Sequence, residues 1–149
     1  MSGEADLALR SGIHGGVRER FISGSCPAAP FTPRQLERIG DALTFASRDA
    51  RLTFSLYVGE LDAPSRATAE AMLGQLPDPP DSVLIAVSPG QRVVQVVTGI
   101  DASERISNRV CGLAVLAMRD AFSSGDLVGG VVNGVRILSD AAGRPAHHG

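Results

Sequence analysis

The chain has 149 residues and a mass of 15.5 kDa, the size of one domain, enough to bury about two-thirds of its unfolded surface. Its 14 basic and 16 acidic residues leave a net charge of −2, which excludes the strongly basic face of a general nucleic-acid binder. Every basic residue is Arg, so a phosphate-loop lysine and Schiff-base chemistry are excluded as well.

Two cysteines, Cys26 and Cys111, build neither a disulfide scaffold nor a four-cysteine zinc site. No apolar run approaches the ~20 residues needed to span a bilayer, so no transmembrane segment is expected. Residues 1–20 mix acids, arginines and glycines with no apolar stretch, so no secretion signal is expected and the expected compartment is the cytoplasm.

Three zones follow one another along the chain. Residues 1–30 are rich in glycine and close on Cys26-Pro27-Ala28-Ala29-Pro30. With too few apolar side chains for a core, they read as an extended N-terminal arm, with a short edge strand available at 17–23. Residues 31–142 carry the periodic structure of a domain, and 143–149 form a polar tail.

The domain opens on a helix start, with Thr32 as N-cap, Pro33 at the first helical position and Gln35 completing a capping box. Leu36, Ile39, Leu43 and Ala46 recur at helical spacing. Residues 52–58 alternate as a half-buried strand ended by Gly59. A second helix over 65–76 turns Ala69, Met72, Leu73 and Leu76 inward, and the prolines of 77–81 make a loop.

Residues 83–87 and 92–99 are two apolar strands joined by Ser88-Pro89-Gly90-Gln91, read as a type II turn with Gly90 at positive φ. Both strands are apolar on both faces, the pattern of a sheet covered on each side. Asp101 is expected to cap a long helix with Glu104 three residues on, and its stripe to run Ile106, Val110, Leu113, Ala114, Ala117 and Ala121. A last helix covers about 126–142. This order predicts an α/β fold, a sandwich of helices around a sheet of three or more strands.

Among the acids, Asp78, Asp81, Asp101 and Asp126 sit at element boundaries, where oxygen-rich loops can hold Mg²⁺ or Ca²⁺ and where Asp equally serves as a turn or cap residue. His14, His147 and His148 lie outside the periodic core, without the orienting partner that a catalytic histidine needs. Cys111 reads as a small packed apolar side chain, and Cys26 has no base near it in sequence. Neither Gly15-Gly16 nor Gly129-Gly130 has the spacing of a phosphate loop. Gly130 and Gly134 share a helix face, read as close packing against the sheet. The apolar residues of that helix spread around it, leaving Val128, Val132 or Ile137 as an outer face for a protein partner.

The core resembles the TPM domain family over residues 31–142, about three-quarters of the chain. The resemblance rests on the Phe31-Thr32-Pro33 helix start, the strands at 81–87 and 92–99, the long helix after them, Phe122-Ser123-Ser124-Gly125-Asp126-Leu127, and Gly130 with Gly134. More narrowly, the chain resembles the short actinobacterial DUF5130 group. The TPM resemblance implies a three-layer α/β/α sandwich with a small mixed sheet. It also implies, for some members, metal-assisted phosphatase activity through loop acids, of which only Asp81 and Asp126 match here as metal ligands, for Mg or Ca. The strand that should open on an acid-Asn-Gly approach begins Asp81-Ser82-Val83 instead, and the signal and anchor of many bacterial members are not expected here.

The narrower resemblance includes a mycobacterial protein docked on the cytoplasmic side of a cytochrome bcc–cytochrome oxidase respiratory supercomplex. It implies a non-catalytic accessory subunit without cofactor, peripheral on the inner face of the plasma membrane, that stabilises the association of the two complexes. On this reading Arg10, Arg18, Arg20 and Phe21 of the arm, with Val128 and Val132, meet the membrane-embedded partners.

Overall fold

A computed structural model describes residues 20–23, as backbone, and residues 32–143. The expectations for Arg10, Arg18, His14, Cys26, His147 and His148 lie outside these residues.

The elements are β1 (Arg20–Ser23), α1 (Pro33–Ala50), β2 (Thr53–Val58), α2 (Ser65–Gly74), β3 (Ser82–Ser88), β4 (Val93–Thr98), α3 (Asn108–Ser123) and α4 (Leu127–Ala142). The fold is α/β, with a mixed sheet in the order β1-β2-β3-β4. β1, β2 and β3 run parallel, and β4 returns antiparallel to β3. The edge strand expected within 17–23 is β1, so the sheet takes its first strand from the segment that composition reads as an arm.

α1 begins as the sequence predicts. Thr32 Oγ1 accepts from the Gln35 N–H at 3.1 Å, and Gln35 Oε1 accepts from the Thr32 N–H at 2.9 Å, a reciprocal cap. The helix ends at Arg51, which takes a left-handed conformation with φ 60°. Ser47, buried near that end, accepts from the Phe54 N–H at 3.1 Å and so ties the helix to the first residues of β2.

Alternation along the strands sorts their side chains onto two faces. Phe54, Leu56, Val58, Val83, Ile85, Val87, Val94 and Val96 join the larger core with α1, α3 and α4. Tyr57, Leu84, Ala86 and Val97 form a smaller core with Leu61 and the α2 residues Ala69 and Leu73. The result is a three-layer sandwich, with α4 packed between α1 and α3 on one face and α2 alone on the other. The steps from β1 to β2 and from β2 to β3 cross the sheet in one direction, yet their helices lie on opposite faces. One of the two crossovers is therefore left-handed, against the strong default for parallel strands.

Three local expectations are corrected. The Ser88↔Val93 pair leaves four residues in the hairpin loop, a length built around a type I turn. Gln91 N–H bonds Ser88 O, and the left-handed residue is Arg92, φ 59°, while Gly90 stays at negative φ. Asp101 makes no side-chain cap. After a short 3₁₀ turn, Ala102–Glu104, it is Ser107 that caps α3, its Oγ accepting from the Val110 N–H at 3.2 Å. With Ile106 left in the turn before the helix, the buried stripe of α3 is Ala114 and Met118, flanked by Val110, Cys111, Val115 and Phe122. Leu113, expected inward, is 51% exposed.

Candidate functional site

Asp126 sits at the sharp corner between α3 and α4. Gly125, φ +85°, takes the left-handed position after α3, with Gly125 N–H on Phe122 O and Asp126 N–H on Ala121 O, the Schellman pattern. Asp126 is then the N-cap of α4, its Oδ1 accepting from the Gly129 N–H at 2.9 Å. Its carboxylate is engaged in backbone capping, the alternative use expected of an Asp at such a boundary.

Asp81 ends the 3₁₀ turn Pro79–Asp81 at the entry to β3, its N–H donating to Asp78 O. Gly99 lies against this turn, where a side chain at 99 would collide with Pro79 O and Pro80. The Asp101 N–H donates to Pro80 O, and the Arg105 guanidinium reaches Ala142 O at 2.6 Å. Asp81, Asp101, Arg105 and the C-terminus of α4 therefore share one end of the molecule. Asp126 lies at the other end of α4, whose 16 residues span about 24 Å. The structure does not bring Asp81 and Asp126 together, and they cannot ligate one ion. Among the described residues no group of three His, Cys, Asp or Glu side chains is placed to hold a metal.

At the carboxyl end of β2 and β3, two loops are joined by one side chain. Gln91 Oε1 accepts from the Leu61 N–H at 2.8 Å, and Gln91 Nε2 donates to Leu61 O at 3.0 Å. Ser88 Oγ also donates to Gln91 Oε1, and Tyr57 Oη donates to Glu60 O at 2.8 Å. Gln95, on β4, donates to Ser65 Oγ at the start of α2. These contacts clasp the 59–64 loop and α2 to the sheet.

The expected partner face on α4 is corrected. Val128 is 6% exposed and belongs to the larger core, and Val132 and Ile137 are half-buried against it. α4 lies in the middle of its layer, so both flanks are used. Gly130 and Gly134 pack on Phe122, Ala121 and Met118 of α3 and not, as expected, on the sheet. Arg20 and Phe21 lie in β1, which pairs only with β2 among the described residues and so leaves an open edge.

Among the described residues, the large apolar side chains that do face outward are Phe45 on α1, Leu113 and Leu116 on α3, and Ile100 after β4. Leu113 reads as inward only when the stripe is drawn through Ile106, which is buried ahead of α3 and not on it. Arg109, Leu113, Leu116 and Asp120 fall at spacings of four, three and four, a seam of their own. Cys111 is half-buried on the core side of α3. Burial pushes its thiol above the ordinary range, and the Arg66 guanidinium of α2 pulls less strongly the other way.

The architecture is thus an α/β/α sandwich with polar clasps, an exposed helix seam and a sheet edge that is open among the described residues. The chain belongs to the DUF5130 family, a domain of unknown function, which matches residues 8–139. It is similar to an uncharacterized protein of Mycobacterium tuberculosis, in strains CDC 1551 / Oshkosh and ATCC 25618 / H37Rv. Each is 38% identical over 110 residues, covering 74% of this chain and 66% of the relative.

Three solution structures share the fold. The N-terminal domain of a protein from P. gingivalis matches with a TM-score of 0.65 and 17% identity, over 77% of this chain and 78% of that one. The N-terminal domain of the cg2496 protein of Corynebacterium glutamicum gives 0.64 and 13%, over 78% and 77%. The BA42 protein of Bizionia argentinensis gives 0.62 and 18%, over 75% and 81%.

Proposed function

We propose that this chain is a non-catalytic docking module, an accessory subunit that binds membrane-embedded respiratory complexes from the cytoplasmic side. The observation that carries the docking reading is one flank of the sandwich. There β1 has an edge unpaired among the described residues, and α1, which packs over β1 and β2, exposes Phe45 at 71% among Arg38, Asp41, Arg48 and Asp49. An open edge accepts an added strand, and an aromatic side chain ringed by charge is the usual form of an interface anchor. Arg10 and Arg18 precede this edge in sequence and would meet acidic loops or lipid headgroups.

The choice of cytochrome bcc and cytochrome oxidase as partners comes from the resemblance of the chain to a supercomplex-associated mycobacterial protein. Contacts to both complexes would raise their effective concentration for each other. No described helix is long and apolar enough to cross a membrane, which accords with attachment from the surface. The proposal assigns no cofactor.

The test is affinity purification of the tagged full chain from its host's membranes in mild detergent, read by haem absorbance and mass spectrometry. Cytochromes should co-elute at constant stoichiometry with the wild type. They should be lost with Phe45→Glu and with a truncation that removes residues 1–19 and spares β1. A colourless wild-type eluate containing this chain alone would sink the proposal.

A further inference from the structure

The seam on α3 carries a separate inference. Arg109, Leu113, Leu116 and Asp120 are all exposed and lie on one helix face. Neither Arg109 nor Asp120 has an ion-pair partner among the described residues. Gly112, beside the seam, has open space where a side chain would begin, so another helix can approach closely there. An apolar centre with a cation at one end and an anion at the other is a polar pattern along the helix, and it chooses its own complement.

We infer that α3 pairs with α3 of a second copy of this chain, antiparallel about a two-fold axis. The pairs Arg109/Asp120 and Leu113/Leu116 share one midpoint in sequence. A two-fold axis through that point sets Leu113 against the other copy's Leu116, and at the same time each Arg109 against the other copy's Asp120. Both leucine contacts and both ion pairs form in a single register, the self-complementarity that an isologous dimer requires. Parallel pairing would set Arg on Arg and Asp on Asp, so the charges select orientation.

Two leucines per copy make a short seam beside the roughly 20–30 residues a side of a standard interface. The dimer therefore dissociates on dilution, and salt weakens its rim charges. This inference is independent of the respiratory partner, because it concerns the purified chain alone.

Sedimentation velocity on the full chain, from about 10 µM to about 1 mM, reads the result. The wild type should pass from monomer to dimer over this range. Leu113→Glu with Leu116→Glu should remain monomeric throughout, with an unchanged circular dichroism spectrum. Arg109→Asp alone sets like charges against each other and should weaken dimerisation about tenfold, as should Asp120→Arg alone. The two together exchange the ends of the seam and should restore it, a rescue that a merely structural effect of either residue would not give. A wild-type monomer at the highest concentration overturns the inference. So does a dimer that survives the double leucine change, or a double charge swap no stronger than its parts. If the seam binds lipid vesicles while the chain stays monomeric, the face belongs to membrane and the inference likewise fails.

Discussion

The two faces of the sheet are covered by different means. On one, α1, α4 and α3 bring Ile39, Leu43, Val131, Val135, Leu138, Ala114 and Met118 onto Phe54, Leu56, Val83 and Ile85, an apolar interior closed by shape. On the other, the ten residues of α2 supply only Ala69 and Leu73 as buried side chains, and hydrogen bonds from Gln91, Gln95 and Tyr57 complete the attachment. Apolar burial contributes in proportion to area, whereas each neutral hydrogen bond adds about 1 kcal/mol net. The first face should hold the global fold, and the second should open locally at lower free energy.

The largest effect that tests this contrast is expected at Phe54, which is 0% exposed in the larger core. Phe54→Ala should cost about 3–5 kcal/mol, read as a fall in the urea midpoint and as faster exchange of amides in every strand. Gln91→Ala removes the clasp on Leu61 and should cost about 1–3 kcal/mol, with faster exchange confined to the 59–64 loop and α2. If Gln91→Ala accelerates exchange across α1 and α4 as strongly as in the 59–64 loop, the two faces are not separable and the comparison fails.

Ser55 sharpens the contrast in the opposite direction. It is 0% exposed, on the strand face shared with Tyr57, and its hydroxyl has no hydrogen-bond partner among the described residues. Replacing a buried unpaired hydroxyl removes a desolvation cost, so Ser55→Ala should stabilise by about 1 kcal/mol, as a higher urea midpoint at unchanged slope. On the three-helix side, Gly40 lies within α1 with nothing near the position of a Cβ. Gly40→Ala should add about 0.5–1 kcal/mol through reduced backbone entropy of the unfolded chain.

The legible parts of this fold were those decided within a few residues. Thr32 and Gln35 cap each other, and the strands 53–58, 82–88 and 93–98 announce themselves by apolar pattern alone. The misreadings came where two local signals competed. Pro89-Gly90 resembles a type II turn, but pairing Ser88 with Val93 fixes a four-residue loop, and the left-handed residue falls at Arg92. Asp101 and Glu104 resemble a capping pair, yet the chain is held there by Pro80 O, and α3 begins only at Asn108.

Two readings of the site went astray separately. A stripe drawn through Ile106 placed Leu113 in the core, and the spread of apolar residues around α4 suggested an outer face where the middle position in the layer buries Val128. Nor does a sequence show that Asp81 and Asp126 stand a helix length apart. The two proposed surfaces are complementary. α3 lies toward the β4 side of the layer and α1 toward β1, so an α3-paired dimer leaves two β1/α1 flanks free at its ends, a bivalent arrangement suited to bridging two partners.

The smallest expected effect concerns Cys111, which looks onto the larger core from α3. Burial raises its thiol pKa in the folded chain, against a lesser opposing pull from Arg66. The unfolded chain, with a thiol pKa of about 8.5, then loses its proton at a pH where the native chain still keeps it. Stability from this group is full below that pH and declines as pH rises through the ordinary thiol range towards the raised native value. Urea unfolding at pH 7 and at pH 9.5 should show a small alkaline loss in the wild type that is reduced in Cys111→Ala, with Cys26 retained in both. The same displacement keeps the thiolate scarce, so Cys111 should react with iodoacetamide more slowly than a free thiol at pH 8. A Cys111 that alkylates at the free-thiol rate while the chain stays folded would mean that α3 does not hold it against the core, and would return the phase of that helix, and with it the Leu113/Leu116 seam, to question.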